Sequence, residues 1–280
     1  MQLILISGLS GSGKSVALRL LEDNGYYCVD NLPATMLTDV VALYSEQGYQ
    51  HVAISVDTRS APTLAALPEV MANLKAMRVD VRLIYLEATT EVLVQRFSET
   101  RRRHPLSGNG LTVEECIRLE REMLEHIHEL GHRIDTSHLS ANALRAWIKV
   151  LVDADADCLT LVFESFGFKH GLPLDADFVF DVRCLPNPYY EVALRPLTGQ
   201  DEAICRFFEG EASVAQMLAD IRQFLQNWLP RFRQDNRSYV TVAIGCTGGQ
   251  HRSVYLAEQL AKAFAGEQVL LRHRQLPAKK

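Results

Sequence analysis

Two glycine-rich stretches and several groups of charge hold the residues of this chain that could do chemistry. The first stretch is Gly8-Leu9-Ser10-Gly11-Ser12-Gly13-Lys14-Ser15. Glycine permits the tight turns that aim successive N–H groups at one anion, and the positive end of a following helix favours the same charge. In the spacing G-x-x-x-x-G-K-S the lysine pairs with β/γ-phosphates and the serine hydroxyl ligates Mg²⁺. The eight residues from Gly8 to Ser15 therefore predict a site for ATP, with Lys14 and Ser15 as the catalytic pair and Ser15 as the metal ligand.

The second stretch is Gly245-Cys246-Thr247-Gly248-Gly249-Gln250-His251-Arg252-Ser253. A buried strand again runs into a glycine turn that opens a helix, which makes an anion site. A phosphate or sugar phosphate is expected at Cys246, Thr247, Gly248, Gly249, His251, Arg252 and Ser253. Lys169, His170, Asp181, Arg183 and Asn187 follow apolar runs and join the same pocket if strand ends present them there. The spacing Cys246-x5-Arg252-Ser253 also matches the loop of cysteine-dependent phosphatases, in which a thiolate attacks phosphorus. The histidine that usually precedes that cysteine is missing, and no acid partner is identifiable. A plain structural turn is the third reading.

Charge offers further candidates. Arg96, Arg101, Arg102, Arg103 and His104 precede the flexible run from Pro105 to Gly110. This is either a basic lid, with Arg101, Arg102 and Arg103 closing over a γ-phosphate, or a solvated helix end. Asp30, Asp57 and Glu87 each end a strand, where α/β sheets bind ligands. The tail carries Arg272, Arg274, Lys279 and Lys280 without an acid, and reads either as a contact for RNA phosphates or as a solvated end.

The elements that must position these groups alternate strand and helix, the pattern of a parallel sheet wrapped by helices. Strands are expected at Leu3–Ile6, Tyr26–Val29, His51–Val56, Val81–Leu86 and 134–137. Asn31 is expected to cap the helix that carries Leu37, Val40, Val41 and Tyr44 on one face. Thr112-Val-Glu-Glu115 reads as a capping box for a helix running to Leu130, and Ser140–Val152 as a closing helix. The acidic stretch 153–157 divides a domain at 1–153 from a smaller α/β domain at 154–280. In the second domain strands fall at Leu159–Glu164, Phe178–Val182, Tyr239–Ile244 and Gln268–Leu271. A long helix at Ser213–Leu229 is expected to be broken by Pro230, and another spans Ser253–Ala265.

At 280 residues with 48% hydrophobic content, two cores are within reach. No apolar run approaches the roughly 20 residues that span a bilayer, and Met1–Ile6 enters a strand without a basic n-region. A cytoplasmic protein without membrane contact is expected. Six cysteines without C-x-x-C pairs argue against a zinc site or a disulfide framework. The net charge of −5 gives no global attraction to nucleic acid, so any such binding needs a local patch.

With these residues in view, the chain resembles the RNase adapter protein RapZ family of P-loop nucleotide-binding proteins. The likeness rests on Ser7–Ser15, Cys28-Val-Asp-Asn-Leu-Pro33 and Thr100-Arg-Arg-x-His-Pro-Leu106. It continues through Val162–Gly171, Asp181-Val-Arg-x-Leu-Pro-Asn-Pro188, Arg195-Pro-x-Thr-Gly199 and Tyr239–Val254. The resemblance implies a kinase-like P-loop domain that binds ATP and GTP and hydrolyses both weakly, with GTP at Asp57, Thr58, Arg59 and Ser60. It also implies a C-terminal domain that senses an amino-sugar phosphate such as glucosamine-6-phosphate. Its implied partners are a small regulatory RNA, held in part by the tail, and the endoribonuclease to which that RNA is presented; a homo-oligomer is expected. The tail here is shorter and less basic than in enterobacterial members. A small-molecule kinase using the P-loop domain alone is the alternative.

Overall fold

The computed structural model describes residues 1–58, 61–107, 110–153, 159–235, 237 and 239–276, which form two compact units, Met1–Asp153 and Ala154–Lys280. In the first unit the elements are β1 (Gln2–Gly8), α1 (Lys14–Asp23), β2 (Tyr27–Val29), α2 (Leu37–Glu46), β3 (His51–Ser55), α3 (Ala61–Leu64) and α4 (Leu67–Ala76). They continue with β4 (Asp80–Glu87), α5 (Thr90–Thr100), α6 (Val113–Met123), α7 (Glu125–His128), β5 (His132–Asp135) and α8 (Ala141–Asp153). The strands pair in parallel in the order β2-β3-β1-β4-β5. All five therefore end at one edge, and β1, fully buried at Leu3, Ile4, Leu5 and Ile6, sits in the middle.

Strand alternation explains the layering. Leu3 and Leu5 belong to one apolar cluster with Leu37 and Val41 of α2, Leu67, Met71 and Leu74 of α4, and Ile117 of α6. Ile4 and Ile6 lie outside that cluster, as do the buried Ala17, Leu18 and Leu21 of α1, which packs on β1, β3 and α8. Helices thus cover both faces, as a buried parallel sheet requires.

The second unit is a smaller parallel sheet in the order β7-β8-β6-β9, built from β6 (Thr160–Gly167), β7 (Phe178–Asp181), β8 (Tyr239–Cys246) and β9 (Gln268–His273). Its helices are α9 (Glu202–Glu209), α10 (Ala212–Gln234) and α11 (Arg252–Ala263). No helix among the described residues is long and apolar enough to cross a membrane.

Several sequence expectations shift. Pro230 does not end its helix: α10 runs on to Gln234. The carbonyl that Pro230 cannot serve belongs to the exposed Gln226, where water can reach it, while Ile221, Leu225 and Leu229 bury the opposite face. Asn31 caps no helix; it takes a left-handed φ of 58°, and α2 begins only after a turn at Ala34–Met36. The Thr112 capping box forms, but the helix it opens ends at Met123 and a short second helix follows. Strand β5 lies at His132–Asp135, two residues earlier than expected.

Candidate functional site

β1 feeds directly into the glycine loop, and α1 begins at Lys14. Gly8, Gly11 and Gly13 have φ of 131°, 85° and 113°, a region that side chains disfavour. Space forbids a side chain at Gly8 as well, since a Cβ there would lie 1.9 Å from the Leu86 carbonyl oxygen of β4. The Lys14 ammonium donates to the carbonyls of Gly8 (2.6 Å) and Leu9 (3.1 Å), curling back over its own loop. Ser15 is exposed in the first turn of α1, and the buried Ser12 Oγ has no hydrogen-bond partner. The loop is braced from outside. Thr136 donates to the Ser12 carbonyl (2.9 Å), and Arg96 donates to the carbonyls of Gly11 (3.1 Å) and Thr136 (2.6 Å).

One contributor lies outside every sequence expectation. Glu120 of α6 is fully buried, and its carboxylate accepts from the Ser10 N–H (2.7 Å), the Ser10 hydroxyl (2.8 Å) and the Thr58 hydroxyl (2.9 Å). His104 Nε2 lies 3.1 Å from Oε2, the oxygen that also accepts the Ser10 N–H. Burial pushes the Glu120 carboxyl up, but His104, the Lys14 charge and the Ser10 donors outweigh it and hold the group below its usual value. In the sequence Glu120 is one acid in the charged run Leu119-Glu-Arg-Glu122, with no local sign that it turns inward.

Asp57 and Thr58 follow β3 and are buried, and β3 pairs with β1. Arg59 and Ser60, the other two residues expected at a GTP site, lie outside the described residues, as do Gly108 and Asn109. Asp30 is exposed after β2. Glu87 is committed elsewhere, ion-paired to Arg133 (2.6 Å) and Arg121 (3.4 Å). Arg101, Arg102 and Arg103 are exposed, beginning at the left-handed cap of α5, whereas His104 beside them is buried.

In the second unit β8 ends at Cys246, and α11 begins at Arg252, so the expected glycine turn lies between strand and helix. Close backbone packing shapes it: a Cβ on Gly167, at the end of β6, would fall 2.6 Å from the carbonyl carbon of Gly248. The Lys169 ammonium lies beside Gly248. A cleft of about 560 Å³ opens here, lined by Arg183, Asn187, Tyr190, Ser213, Thr247 and Arg252 among others. Of the residues expected at the sugar phosphate, Arg183, Asn187, Thr247 and Arg252 line this cleft. Asp181 stands behind Arg183 in a 2.7 Å ion pair, while His251 and Ser253 are buried and His170 is exposed. The Arg252 guanidinium is partly occupied: it donates to the carbonyls of Arg183 (2.7 Å) and Leu185 (3.1 Å), leaving Nε without a partner.

The basic tail requires a correction. Arg272 is part of β9, and Arg274 follows directly. Their side chains are only 8% and 4% exposed, ion-paired with the buried Glu164 and Asp175 at 3.2–3.7 Å. They are interior cations and not the free arm that the sequence suggests. Lys279 and Lys280 lie outside the described residues.

Comparison with known proteins covers both units. The RapZ-like N-terminal domain family matches residues 1–156, and the RapZ C-terminal domain family matches residues 159–277. A nucleotide-binding protein of Chromobacterium violaceum is 68% identical over 276 residues, covering 99% of each chain. One of Thiobacillus denitrificans is 60% identical over 277 residues, covering 99% of this chain and 100% of the relative. Among solved structures, shikimate kinase from Acinetobacter baumannii in complex with shikimate is similar at 20% identity and a TM-score of 0.39. That match covers 54% of this chain and 92% of the kinase.

Proposed function

This chain belongs to the RapZ family of nucleotide-binding proteins, and from that premise we propose that it is an ATP- and GTP-binding regulator with slow hydrolysis. The observation that carries this is the loop from Gly8 to Ser15. Three positive-φ glycines open its backbone, Lys14 lies across it, and the Ser12 hydroxyl is buried without a partner. On binding, the Lys14 ammonium exchanges its two carbonyl partners for β/γ-phosphate oxygens, and the amino end of α1 adds its positive partial charge. The exposed Ser15 hydroxyl would hold Mg²⁺, which would supply charge stabilisation at the phosphates.

Lys14→Ala should lower ATP and GTP hydrolysis by at least about tenfold, about 1.4 kcal/mol of transition-state stabilisation. Unchanged turnover in the folded variant would overturn this reading. The exposed Arg101–Arg103 also suit a small-molecule kinase, and transfer of the γ-phosphate to any of a panel of metabolites would favour that activity instead.

In the second unit we propose a site for a phosphorylated amino sugar such as glucosamine-6-phosphate, in the cleft between Arg183, Thr247 and Arg252. Its basic lining, the glycine turn and the amino end of α11 suit the phosphate, while Asn187 and Thr247 can bond sugar hydroxyls. Arg252→Ala should weaken sugar-phosphate binding by roughly 1.5–3 kcal/mol in titration calorimetry. An unchanged affinity would move the site elsewhere. RNA binding, and presentation of a small regulatory RNA to an endoribonuclease, complete the proposal, with Lys279 and Lys280 as the tail cations that meet phosphate. Loss of RNA retention in none of their alanine variants would overturn it.

A further inference from the structure

Among the cysteines of the described residues, Cys246 differs in what surrounds its sulfur. The Gly249 N–H donates to Sγ at 3.2 Å, and the Ser253 hydroxyl lies 3.1 Å from it. Both groups belong to the turn and first residues of α11, a 12-residue helix whose positive end lies at this sulfur. Arg252 stands in the same first turn, 5% exposed, lining the cleft and with Nε unpartnered. Burial pushes the Cys246 thiol up, but the Ser253 and Gly249 donors and the Arg252 charge outweigh it and hold the thiol below its ordinary value. Burial instead raises the thiols of Cys28, Cys116 and Cys205, the first to about 11.

We propose that Cys246 is a nucleophilic thiolate that a hydroperoxide oxidises to sulfenic acid, making the glycine turn of the second unit a redox-modifiable site. The sulfur attacks the distal peroxide oxygen, so that an S–O bond forms as the O–O bond breaks. Sulfur gives up two electrons, and the departing alkoxide or hydroxide takes a proton from water. Phosphoryl transfer is a poorer use of the same thiolate. Asp181 is held ionised by its Arg183 partner and so cannot protonate a leaving group. A residue only 3% exposed admits a two-oxygen reagent more readily than a bulky one. A sulfenic oxygen adds bulk at the turn that carries Thr247 and Arg252, two residues that line the cleft. The proposal does not depend on which anion binds there.

The test exposes the reduced full-length protein briefly to hydrogen peroxide at pH 7 and follows each cysteine by peptide mass spectrometry. Cys184 is the reference, because it is exposed and lines the same cleft. Cys246 should oxidise at least about tenfold faster than Cys184, although accessibility alone predicts the reverse order. Ser253→Ala removes a donor to the sulfur and should slow Cys246 oxidation several-fold, whereas Ser253→Thr keeps the hydroxyl and restores it. Oxidation of Cys246 no faster than of Cys184 overturns the proposal, with or without a folded Ser253 variant. So does an Ala variant that reacts at the native rate.

Discussion

Glu120 is the residue on which the nucleotide loop leans, and its chemistry has a measurable signature. Its carboxylate takes one loop N–H and two hydroxyls out of reach of water, so protonation in the folded protein disturbs three donors at once. A carboxyl held below its unfolded value contributes stability that is complete above the unfolded value. That stability drains away as pH falls through the folded one. Stability should therefore decline as pH falls below the ordinary glutamate value of about 4.3, and Glu120→Gln should flatten that part of the profile. Acid titrations followed by circular dichroism test this; parallel profiles for the two proteins would show that the network does not couple to folding. His104 and Thr58 meet at this same carboxylate, which joins the residue after Arg101–Arg103, the end of β3 and the phosphate loop within the first unit.

At the scale of elements, β9 shows how a strand changes the meaning of the residues it carries. Arg272 and Arg274 sit against Glu164 and Asp175, all four nearly inaccessible. Arg272→Ala would leave two interior carboxylates with fewer countercharges, and removing one partner from such a buried set costs about 3–5 kcal/mol. The expected result is a strong loss of stability in urea unfolding with no selective effect on RNA, and an RNA defect in a fully stable variant would contradict it. These arginines read as tail residues because their partners lie some 100 positions away, beyond any local pattern. Glu120, 110 positions from Ser10, is hidden in the sequence for the same reason. Pro230 departs from expectation on other grounds, since tertiary packing of α10 outweighs one missing hydrogen bond. The loop from Gly8 to Ser15, the glycine turn at 247–251 and both sheets are legible, because strand, turn and helix adjoin in sequence and their signals are local.

Taken as a whole, the molecule carries a net charge of −5, and the two tail arginines are buried within it. That leaves Lys279 and Lys280 as the tail cations for the proposed RNA contact. Replacing both with Ala should make the slope of log K against log[salt] shallower by roughly 0.7 for each phosphate they neutralise on single-stranded RNA, and no further. Filter binding across a salt series measures this, and a larger change would mean that the tail holds more phosphates than two lysines can serve. The reach of those lysines has a fixed limit. Gln275 is pinned to the rim of the anion turn, its side chain accepting the Gly167 N–H at 2.9 Å and filling the space beside Gly249. Lys280 is the fifth residue beyond that pin, and five residues fully extended cover at most about 17 Å. A nucleic-acid phosphate held by Lys280 would therefore lie within about that length, plus a side chain, of whatever occupies the turn. A metabolite there and an RNA strand on the tail would be close neighbours, able to crowd or steady one another without any motion of the fold between them.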